Sequence, residues 1–181
     1  MTFADVMILT RTVSSNAAFE DEECEAYFDL LMSMVPHSLV IEVGLQYGRS
    51  SSVALQVCKE RNLRYHGIDP FIEGADAAGK WLELARKVGG PYQLSMMYSD
   101  AVLIGEPISI ILIDGDHSYQ GVVNDCDHFL HLVKKGGYAC FHDYGRESLP
   151  EVYNAVRDFM DGNQHWTEHQ HVGTLGVWRR R

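Results

Sequence analysis

Residues 39–50 read LVIEVGLQYGRS, and this stretch decides the fold. The segment before its first glycine is apolar except for Glu42, which is typical of a strand covered on both faces. Gly44 and Gly48 follow directly, and glycines at such a point permit a tight turn whose backbone amides face a ligand. A helical period then begins at Arg49. A buried strand, a glycine-containing turn and a helix in this order predict one unit of a mostly parallel α/β sheet.

The rest of the chain repeats this alternation of apolar runs and helical segments. The predicted strands are Leu39–Val43, Tyr65–Ile68, Tyr92–Met97, Ile108–Ile113 and Tyr138–Phe141. The predicted helices are Arg49–Arg61, Ala77–Val88, Tyr119–Val133 and one that begins behind Ser148 or Pro150. The tail adds two alternating runs separated by Gly173, which predict an antiparallel hairpin at the sheet edge. We therefore expect a doubly wound α/β sheet of seven strands, mostly parallel with an antiparallel C-terminal hairpin.

The segment before the first strand is predicted to be helical. Ser15 or Asn16 can cap a helix that runs from about Ala17 to Val35, where a proline follows. A chain of 181 residues is short enough for one hydrophobic core. We therefore expect a single compact unit, with residues 1–38 as a helical cap and residues 39–181 as the main domain.

Composition limits the partners and the compartment. Lys and Arg total 15 against 25 Asp and Glu, so the net charge of −10 repels phosphate backbones and anionic lipid surfaces. We expect neither a nucleic-acid nor a membrane partner. No stretch approaches the roughly 20 apolar residues of a membrane span, and the N-terminus lacks the features of a signal peptide. The sequence contains no CxxC spacing, so we expect its cysteines to be reduced thiols of a cytoplasmic protein. These cysteines are Cys24, Cys58, Cys126 and Cys140.

An acid ends the second predicted strand. There the carboxylate of Asp69 can accept hydrogen bonds from the two hydroxyls of a ribose. The glycine turn lacks the third glycine of a dinucleotide fingerprint and the Gly-Lys-Ser/Thr ending of a phosphate loop, so neither NAD nor ATP is well supported. The alternatives are a turn whose glycines serve only packing and an acid on a solvated loop.

The densest group of ionisable residues follows the next two strands. In a doubly wound sheet these strand ends are neighbours, so Asp114, Asp116, His117, His142 and Asp143 should converge on one crevice. Crowded carboxylates repel, and a divalent cation would hold them charged; oxygen ligands favour Mg²⁺ or Mn²⁺, and histidine admits Fe, Co or Zn. The alternative is that Asp116 caps the next helix and His142 is an interior histidine.

The remaining histidines give weaker evidence of a functional site. His165, His169 and His171 have the parity of one strand face, but no fourth zinc ligand is evident nearby, so we favour a solvated edge strand. His128 and His131 lie three residues apart and are expected to flank the buried stripe of a helix.

Four motifs occur in a fixed order: VIEVGLQYGRSS, HGIDPF, IILIDGDHSYQGV and KKGGYACFHDY. Together they resemble the class I S-adenosylmethionine-dependent methyltransferases, in the small-molecule O-methyltransferase branch of macrocin O-methyltransferases and cephalosporin hydroxylase-like proteins. The resemblance covers Leu39 to Arg181. It implies a Rossmann-like fold, S-adenosylmethionine as the cofactor, and a small hydroxylated acceptor such as a sugar or a natural-product intermediate.

The resemblance also implies residue roles. Asp114 matches the first metal-binding acid of the metal-dependent members, and His142 and Asp143 stand where those members usually have Asp-Asp or Asp-Asn. A neutral histidine adds no negative charge, so this departure disfavours Mg²⁺ and admits a softer ion. The implied cofactor-binding residues are Glu42, Gly44, Gln46, Gly48, Ser50, Asp69, Pro70, Phe71, Ser99, Asp100 and Asp114.

Two residues compete for the role of general base. Asp116 matches a base position in the macrocin-type enzymes, and the unperturbed pKa of His117 lies nearest neutrality. Two alternative functions stay open: a cephalosporin hydroxylase-like enzyme that uses a redox metal, and an inactive cofactor-binding module. Because the N-terminal segment is short, we expect an open acceptor pocket, or one completed by a second copy of the chain on the Phe28–Met34 side of the first helix.

Overall fold

The computed structural model describes residues 1–13, 19–72 and 74–181, and its centre is a seven-stranded sheet. The strands are β1 (Leu39–Val43), β2 (Arg64–Ile68), β3 (Tyr92–Ser95), β4 (Ile108–Ile113), β5 (Val133–Phe141), β6 (Trp166–Val172) and β7 (Leu175–Arg180). The helices are α1 (Phe3–Thr10), α2 (Asp21–Met32), α3 (Arg49–Arg61), α4 (Ala75–Val88), α5 (Tyr119–Phe129) and α6 (Pro150–Met160).

The strand order is β3-β2-β1-β4-β5-β7-β6. Strands β1 to β5 pair in parallel, and β7 runs antiparallel to both β5 and β6. The predicted α/β fold, with seven strands and an antiparallel C-terminal hairpin, is confirmed. The order reverses beside β1, so the loops after β1 and β4 leave the sheet at its switch point, where ligands bind in such folds.

The apolar run of β4 shows how the layers form. Its alternate side chains face opposite sides of the sheet, as the pleat requires. Ile110 and Leu112 are buried against the layer of α1 to α4, whereas Ile111 and Ile113 are buried against α5 and α6. Helices therefore cover both faces of the central strands.

The N-terminal segment contains two helices where one was predicted. Helix α1 was missed, and Thr2 caps it in a box with Asp5. Helix α2 begins at Asp21, after a capping box of Glu20 and Glu23. It ends at Met32 rather than at Val35, since residues just before a proline disfavour helical geometry. The predicted caps Ser15 and Asn16 lie outside the described residues.

Helix α2 buries the face that was predicted to contact a second copy. Phe28 and Leu31 are 7% and 0% exposed, and Met34 just beyond the helix is 9% exposed. These side chains belong to the core that α2 shares with α3. The prediction that the Phe28–Met34 side is exposed is therefore wrong.

Two strand boundaries also differ from the prediction. Strand β5 begins at Val133 rather than Tyr138, because Val133 pairs with Ile108 of β4. The polar residues between Val133 and Tyr138 gave no local signal of a strand. The preceding helix accordingly ends at Phe129. Strand β3 ends at Ser95, and the two methionines predicted to continue it are exposed.

The four cysteines are free and buried, as predicted. Within the described ranges, no helix has both the length and the apolar character that crossing a membrane requires.

Candidate functional site

The strand ends meet in one row. Backbone hydrogen bonds continue the sheet ladder past the strands: Asp69 N donates to Ser95 O, Gly44 N to Ile68 O, Asp114 N to Val43 O, and His142 N to Ile113 O. The glycine turn, Asp69 and the ionisable cluster therefore lie side by side at the carboxyl edge.

The turn after β1 requires its glycines. Gly44 has φ 84°, and a Cβ there would lie 2.0 Å from the carbonyl oxygen of Asp114. Gly48 has φ 86°, and its Cβ would lie 2.9 Å from Leu84 Cδ2. Gly48 is the N-cap of α3 and supplies no capping side chain, and among the described residues no side chain caps the first N–H groups of the helix. This geometry suits a negatively charged group.

Asp69 organises the turn. Its Oδ2 accepts hydrogen bonds from the backbone N–H groups of Leu45 (2.7 Å) and Gln46 (3.0 Å), and its Oδ1 accepts one from the N–H of Phe71 (2.5 Å). Gln46 and Phe71 have φ of 44° and 50°. Such left-handed backbone costs about 1–3 kcal/mol per residue and occurs often at ligand sites.

Glu42 lies beneath the turn. The carboxylate is 0% exposed and accepts hydrogen bonds from the hydroxyls of Ser50 (2.6 Å), Ser51 (2.9 Å) and Tyr65 (2.6 Å). Burial raises the pKa of Glu42 to about 7, against the opposing effect of these bonds. Glu42 and the hydroxyl of Ser50 thus support the turn from inside, and Ser50 keeps its backbone N–H for a ligand.

The residues predicted to contact the adenine differ in how exposed their side chains are. Phe71 is 8% exposed, and Pro70 beside it is half-buried. The hydroxyl of Ser99 donates to Asp125 Oδ1 at 2.5 Å, while Asp100 is exposed. Burial raises the pKa of Asp125 to about 6. Ser99 is therefore held by α5, and the Asp100 side chain is accessible.

The ionisable cluster forms after β4 and β5. His117 Nε2 lies 3.4 Å from Asp114 Oδ1 and 3.2 Å from Asp143 Oδ2. His142 Nδ1 lies 3.1 Å from Asp114 Oδ1 and 3.6 Å from Asp143 Oδ2. The structure thus brings together four of the five predicted cluster residues. Their exposure differs: His117 is 39% exposed and His142 only 2%.

The fifth residue, Asp116, lies apart. It is exposed, and its Oδ1 accepts a hydrogen bond from the N–H of Ser118 (2.9 Å) at the entry to α5. Ser118 is the N-cap of that helix, since its hydroxyl accepts from Gly121 N. Asp116 therefore shapes the helix entry and keeps its second oxygen for another contact.

Helix α2 contributes a carboxylate to the cluster from the far end of the sequence. Glu23 is 1% exposed, with Oε2 3.3 Å from His142 Nε2. Its Oε1 accepts hydrogen bonds from the N–H (2.6 Å) and the hydroxyl (2.9 Å) of Thr174 in the β6–β7 turn. The ring of Phe19 covers His142, with centroids 4.9 Å apart. The start of α2 therefore closes the inner side of the cluster.

The cluster balances its own charge. Arg146 Nη1 donates to Asp143 Oδ1 at 2.8 Å, so the carboxylates of Glu23, Asp114 and Asp143 face the cations of Arg146 and two histidines. Hydrogen bonds to Asp114 and Asp143 raise the pKa of His117 to about 9.

In the buried residues of the cluster, too, charged partners outweigh the effect of burial on the pKa. Burial lowers the pKa of His142, but Asp114 and Glu23 outweigh it and raise that pKa to about 10. Burial raises the pKa of Asp143, but His117 and Arg146 outweigh it and lower that pKa to about 2. The predicted repulsion between the carboxylates, which suggested a metal counter-ion, is therefore largely relieved by the cations of the protein itself.

The structure offers a second histidine beside the predicted metal ligands. Asp114, His117 and Asp143 each offer a ligand atom within 4.8 Å of the others. The predicted ligand His142 also has Nδ1 3.1 Å from Asp114 Oδ1 and 3.6 Å from Asp143 Oδ2. His142 lies behind Asp114 and is held by Glu23, whereas His117 lies on the solvent side.

Sequence reasoning missed Glu23, Arg146 and Thr174. One signal for Glu23 was present: it lies four residues before Tyr27 and eight before Leu31, on the buried face of α2. A charged residue on an apolar stripe needs a buried partner. Nothing in the local pattern singles out Arg146 or Thr174.

The tail histidines lie where a solvated edge strand would place them. His169 and His171 are on the edge strand β6, next to the rings of Tyr138 and Tyr144. His128 Nε2 donates a hydrogen bond to Val102 O at 2.8 Å, and its ring packs against Phe129.

Sequence comparison identifies the central segment. The family model described as Methyltransferase domain matches residues 41–144, which contain the turn, Asp69 and most of the cluster. An uncharacterized protein of Acanthamoeba polyphaga mimivirus is 32% identical over 136 residues. The match covers 67% of this chain and 61% of the viral protein, so the chain spans less than two thirds of that relative.

Solved structures share the fold. An SAH-bound methyltransferase of Podospora anserina superposes with a TM-score of 0.76 at 13% identity, covering 99% of this chain and 87% of that one. A TDP-rhamnose 3'-O-methyltransferase of calicheamicin biosynthesis superposes with a TM-score of 0.70 at 13% identity, covering 98% and 92%. At such identities the likeness concerns the fold.

Proposed function

The chain belongs to the methyltransferase-domain family, and we propose that it transfers a methyl group from S-adenosylmethionine to a hydroxyl of a small metabolite. The observation that carries this proposal is the arrangement at the switch point. A glycine turn opens onto the N-terminus of α3, Asp69 lies beside it, and an ionisable cluster follows the next strand.

The cofactor is proposed to lie across the ends of β1 and β2. The first N–H groups of α3 would hold its carboxylate near Gly48 and Ser50. Asp69 would accept a ribose hydroxyl at Oδ1, since a carboxylate has about four lone-pair sites and the N–H groups of Leu45, Gln46 and Phe71 occupy three of them. We propose that Phe71 and Asp100 contact the adenine face and edge.

The acceptor hydroxyl is proposed to lie against the solvent side of the cluster, next to His117. As the more exposed histidine, His117 can reach an acceptor, whereas His142 cannot. An imidazolium with a pKa of about 9 is a poor proton acceptor at neutral pH. Asp116, exposed and one residue away, is therefore the better-placed base when His117 is protonated or bound.

A divalent ion fits this donor set. Two carboxylates and one imidazole suit Mn²⁺, Fe²⁺, Co²⁺ or Zn²⁺ better than Mg²⁺. We propose Asp114, His117 and Asp143 as its ligands, with the ion taking the place of the proton on His117. When bound, it would act as a Lewis acid that lowers the pKa of the acceptor hydroxyl.

The acceptor class is proposed to be a hydroxylated sugar or a similar metabolite. The calicheamicin enzyme that shares the fold methylates TDP-rhamnose according to its name, which makes this sugar nucleotide a reasonable first acceptor to test. The exposed rim of the cluster accommodates a polar substrate better than an apolar one, because His117 and Arg146 are 39% and 42% exposed there.

We expect Asp143→Asn to abolish metal-dependent methyl transfer, because it removes one of two carboxylate ligands. Electron paramagnetic resonance of Mn²⁺ should show binding to the wild type and to Asp116→Asn, and none to Asp143→Asn. Transfer of labelled methyl from S-adenosylmethionine to TDP-rhamnose should fall in both variants. The affinity for S-adenosylhomocysteine should change by less than about twofold, since neither residue is proposed to touch the cofactor. Absence of Mn²⁺ binding to the wild type, or full transfer in EDTA, would contradict the metal and leave a base mechanism at Asp116 or His117.

A further inference from the structure

Positive charge is concentrated at one edge of the sheet. The chain has a net charge of −10, yet five of its 15 Lys and Arg residues lie at the start of β5, at the end of β7 or directly after β7. These strands are antiparallel neighbours, with Tyr138 opposite Arg179, so the cationic ends lie together. We name this set the basic edge: Lys134, Lys135, Arg179, Arg180 and Arg181.

The basic edge borders an open cavity of about 410 Å³. Its lining includes Thr167, His169, Arg179 and Arg181, with Glu168 as the one acid among the lining residues. A volume of this size falls within the general range of small-molecule pockets, roughly 300–1,000 Å³. Arg181 Nε donates to Thr167 Oγ1, which fixes one guanidinium at the rim.

An aromatic ring lies within this charged surface. The guanidinium of Arg179 lies 6.0 Å from the ring centroid of Tyr138, and the ring of His169 lies 5.1 Å from it. Tyr138 and its neighbours therefore place π-faces next to cations. Unpaired bases stack on such rings while the phosphates meet the cations, whatever the base sequence.

We propose that the basic edge binds single-stranded nucleic acid. Net charge alone argued against such a partner, but the field close to the surface follows local charge, because screening limits the reach of distant charges to about 10 Å at ordinary ionic strength. A single strand is favoured over a duplex, since only unpaired bases expose faces to Tyr138 and His169. An anionic membrane is disfavoured because neither the basic edge nor the cavity lining includes any of the large exposed apolar side chains of the described residues.

The surface is separate from the proposed methyl-transfer site. Strand β5 has the basic edge at its start and His142 just beyond its end, and its nine residues span about 30 Å at 3.3 Å per residue. A strand bound at the basic edge leaves the crevice accessible. The inference therefore goes beyond the proposed function and does not depend on it.

Fluorescence anisotropy with a fluorescein-labelled 12-nucleotide oligouridylate tests the proposal on the whole chain. The wild type should bind with a Kd of roughly 1–100 µM at 50 mM salt. Lys135→Gln/Arg179→Gln should weaken binding about tenfold or more. It should also reduce the salt slope by about 1.4, since each phosphate that a protein cation neutralises on a single strand adds about 0.7 to that slope. The matched double variant Arg86→Gln/Lys87→Gln removes the same charge from the exposed end of α4 and should bind like the wild type.

Three results would overturn the proposal. The first is that the wild type does not bind the oligonucleotide at 50 mM salt. The second is that the two double variants lose the same amount of affinity. The third is that the protein binds phosphatidylserine vesicles through Lys135 and Arg179 but does not bind the oligonucleotide. Unchanged circular dichroism and unchanged thermal unfolding in both double variants would show that neither loss comes from misfolding.

Discussion

Replacing Gly44 by alanine should abolish detectable binding of S-adenosylhomocysteine and lower the free energy of unfolding by about 3 kcal/mol. The added Cβ would lie 2.0 Å from the carbonyl oxygen of Asp114, and φ at this position is 84°. The clash involves backbone on both sides, so a side-chain rotation cannot relieve it. The turn after β1 and the loop after β4 would have to separate at the place where cofactor and acceptor are proposed to meet.

Gly79→Ala is the matched control. Gly79 lies inside α4, where a Cβ meets nothing within 4 Å, so alanine should be neutral or stabilise the helix by up to about 1 kcal/mol. Isothermal titration and urea denaturation of both variants measure the two effects. Wild-type affinity in Gly44→Ala would contradict the role of the close approach between Gly44 and Asp114.

Replacing Glu23 by alanine should destabilise the protein by about 3–5 kcal/mol at pH 7. The change leaves the buried imidazolium of His142 without one of its partners and removes the acceptor of the Thr174 N–H and hydroxyl. Urea denaturation measures the decrease in stability. Glu25→Ala, at an exposed position of the same helix, should lie within about 0.5 kcal/mol of the wild type.

Glu23→Gln separates charge from hydrogen bonding. The amide oxygen can still accept from Thr174, so this variant should lose less stability than Glu23→Ala. A Glu23→Ala variant as stable as Glu25→Ala would show that the α2 carboxylate does not hold the cluster together.

Local pattern was sufficient for the centre of the fold. The bounds of β1, β4 and α3 were predicted from apolar runs and from glycines at the turn, because those strands are buried on both faces and the helix has a regular apolar stripe. Other strand bounds depend on pairing between strands, which the local sequence pattern does not show. The first half of β5 contains Lys134 to Gly137 and resembles a loop, yet the strand begins at Val133, which pairs with Ile108 of β4, while pairing with β7 begins only at Tyr138.

The candidate site was predictable in its position and less so in its contacts. The order of strands brings Asp114 and Asp143 to one crevice, and topology alone supports that inference. Which histidine faces solvent depends on Glu23, which lies 119 residues from His142 in the chain and reaches it only through the packing of α2. The charge balance of the cluster depends on the same long-range contact, together with Arg146 from the loop after β5. The sequence pattern indicates that Glu23 is buried but does not identify His142 as its partner, and it does not indicate the contact of Arg146.

Calorimetric titration of the purified chain with S-adenosylhomocysteine tests the central claim most directly. We expect one molecule to bind per chain, with the same affinity in EDTA as in added Mn²⁺. Asp69→Ala should weaken binding by about 10- to 150-fold, which corresponds to the loss of about 1.5–3 kcal/mol for hydrogen bonds to a charged group. No binding by the folded wild type would contradict the assignment of the turn and Asp69 as a cofactor site.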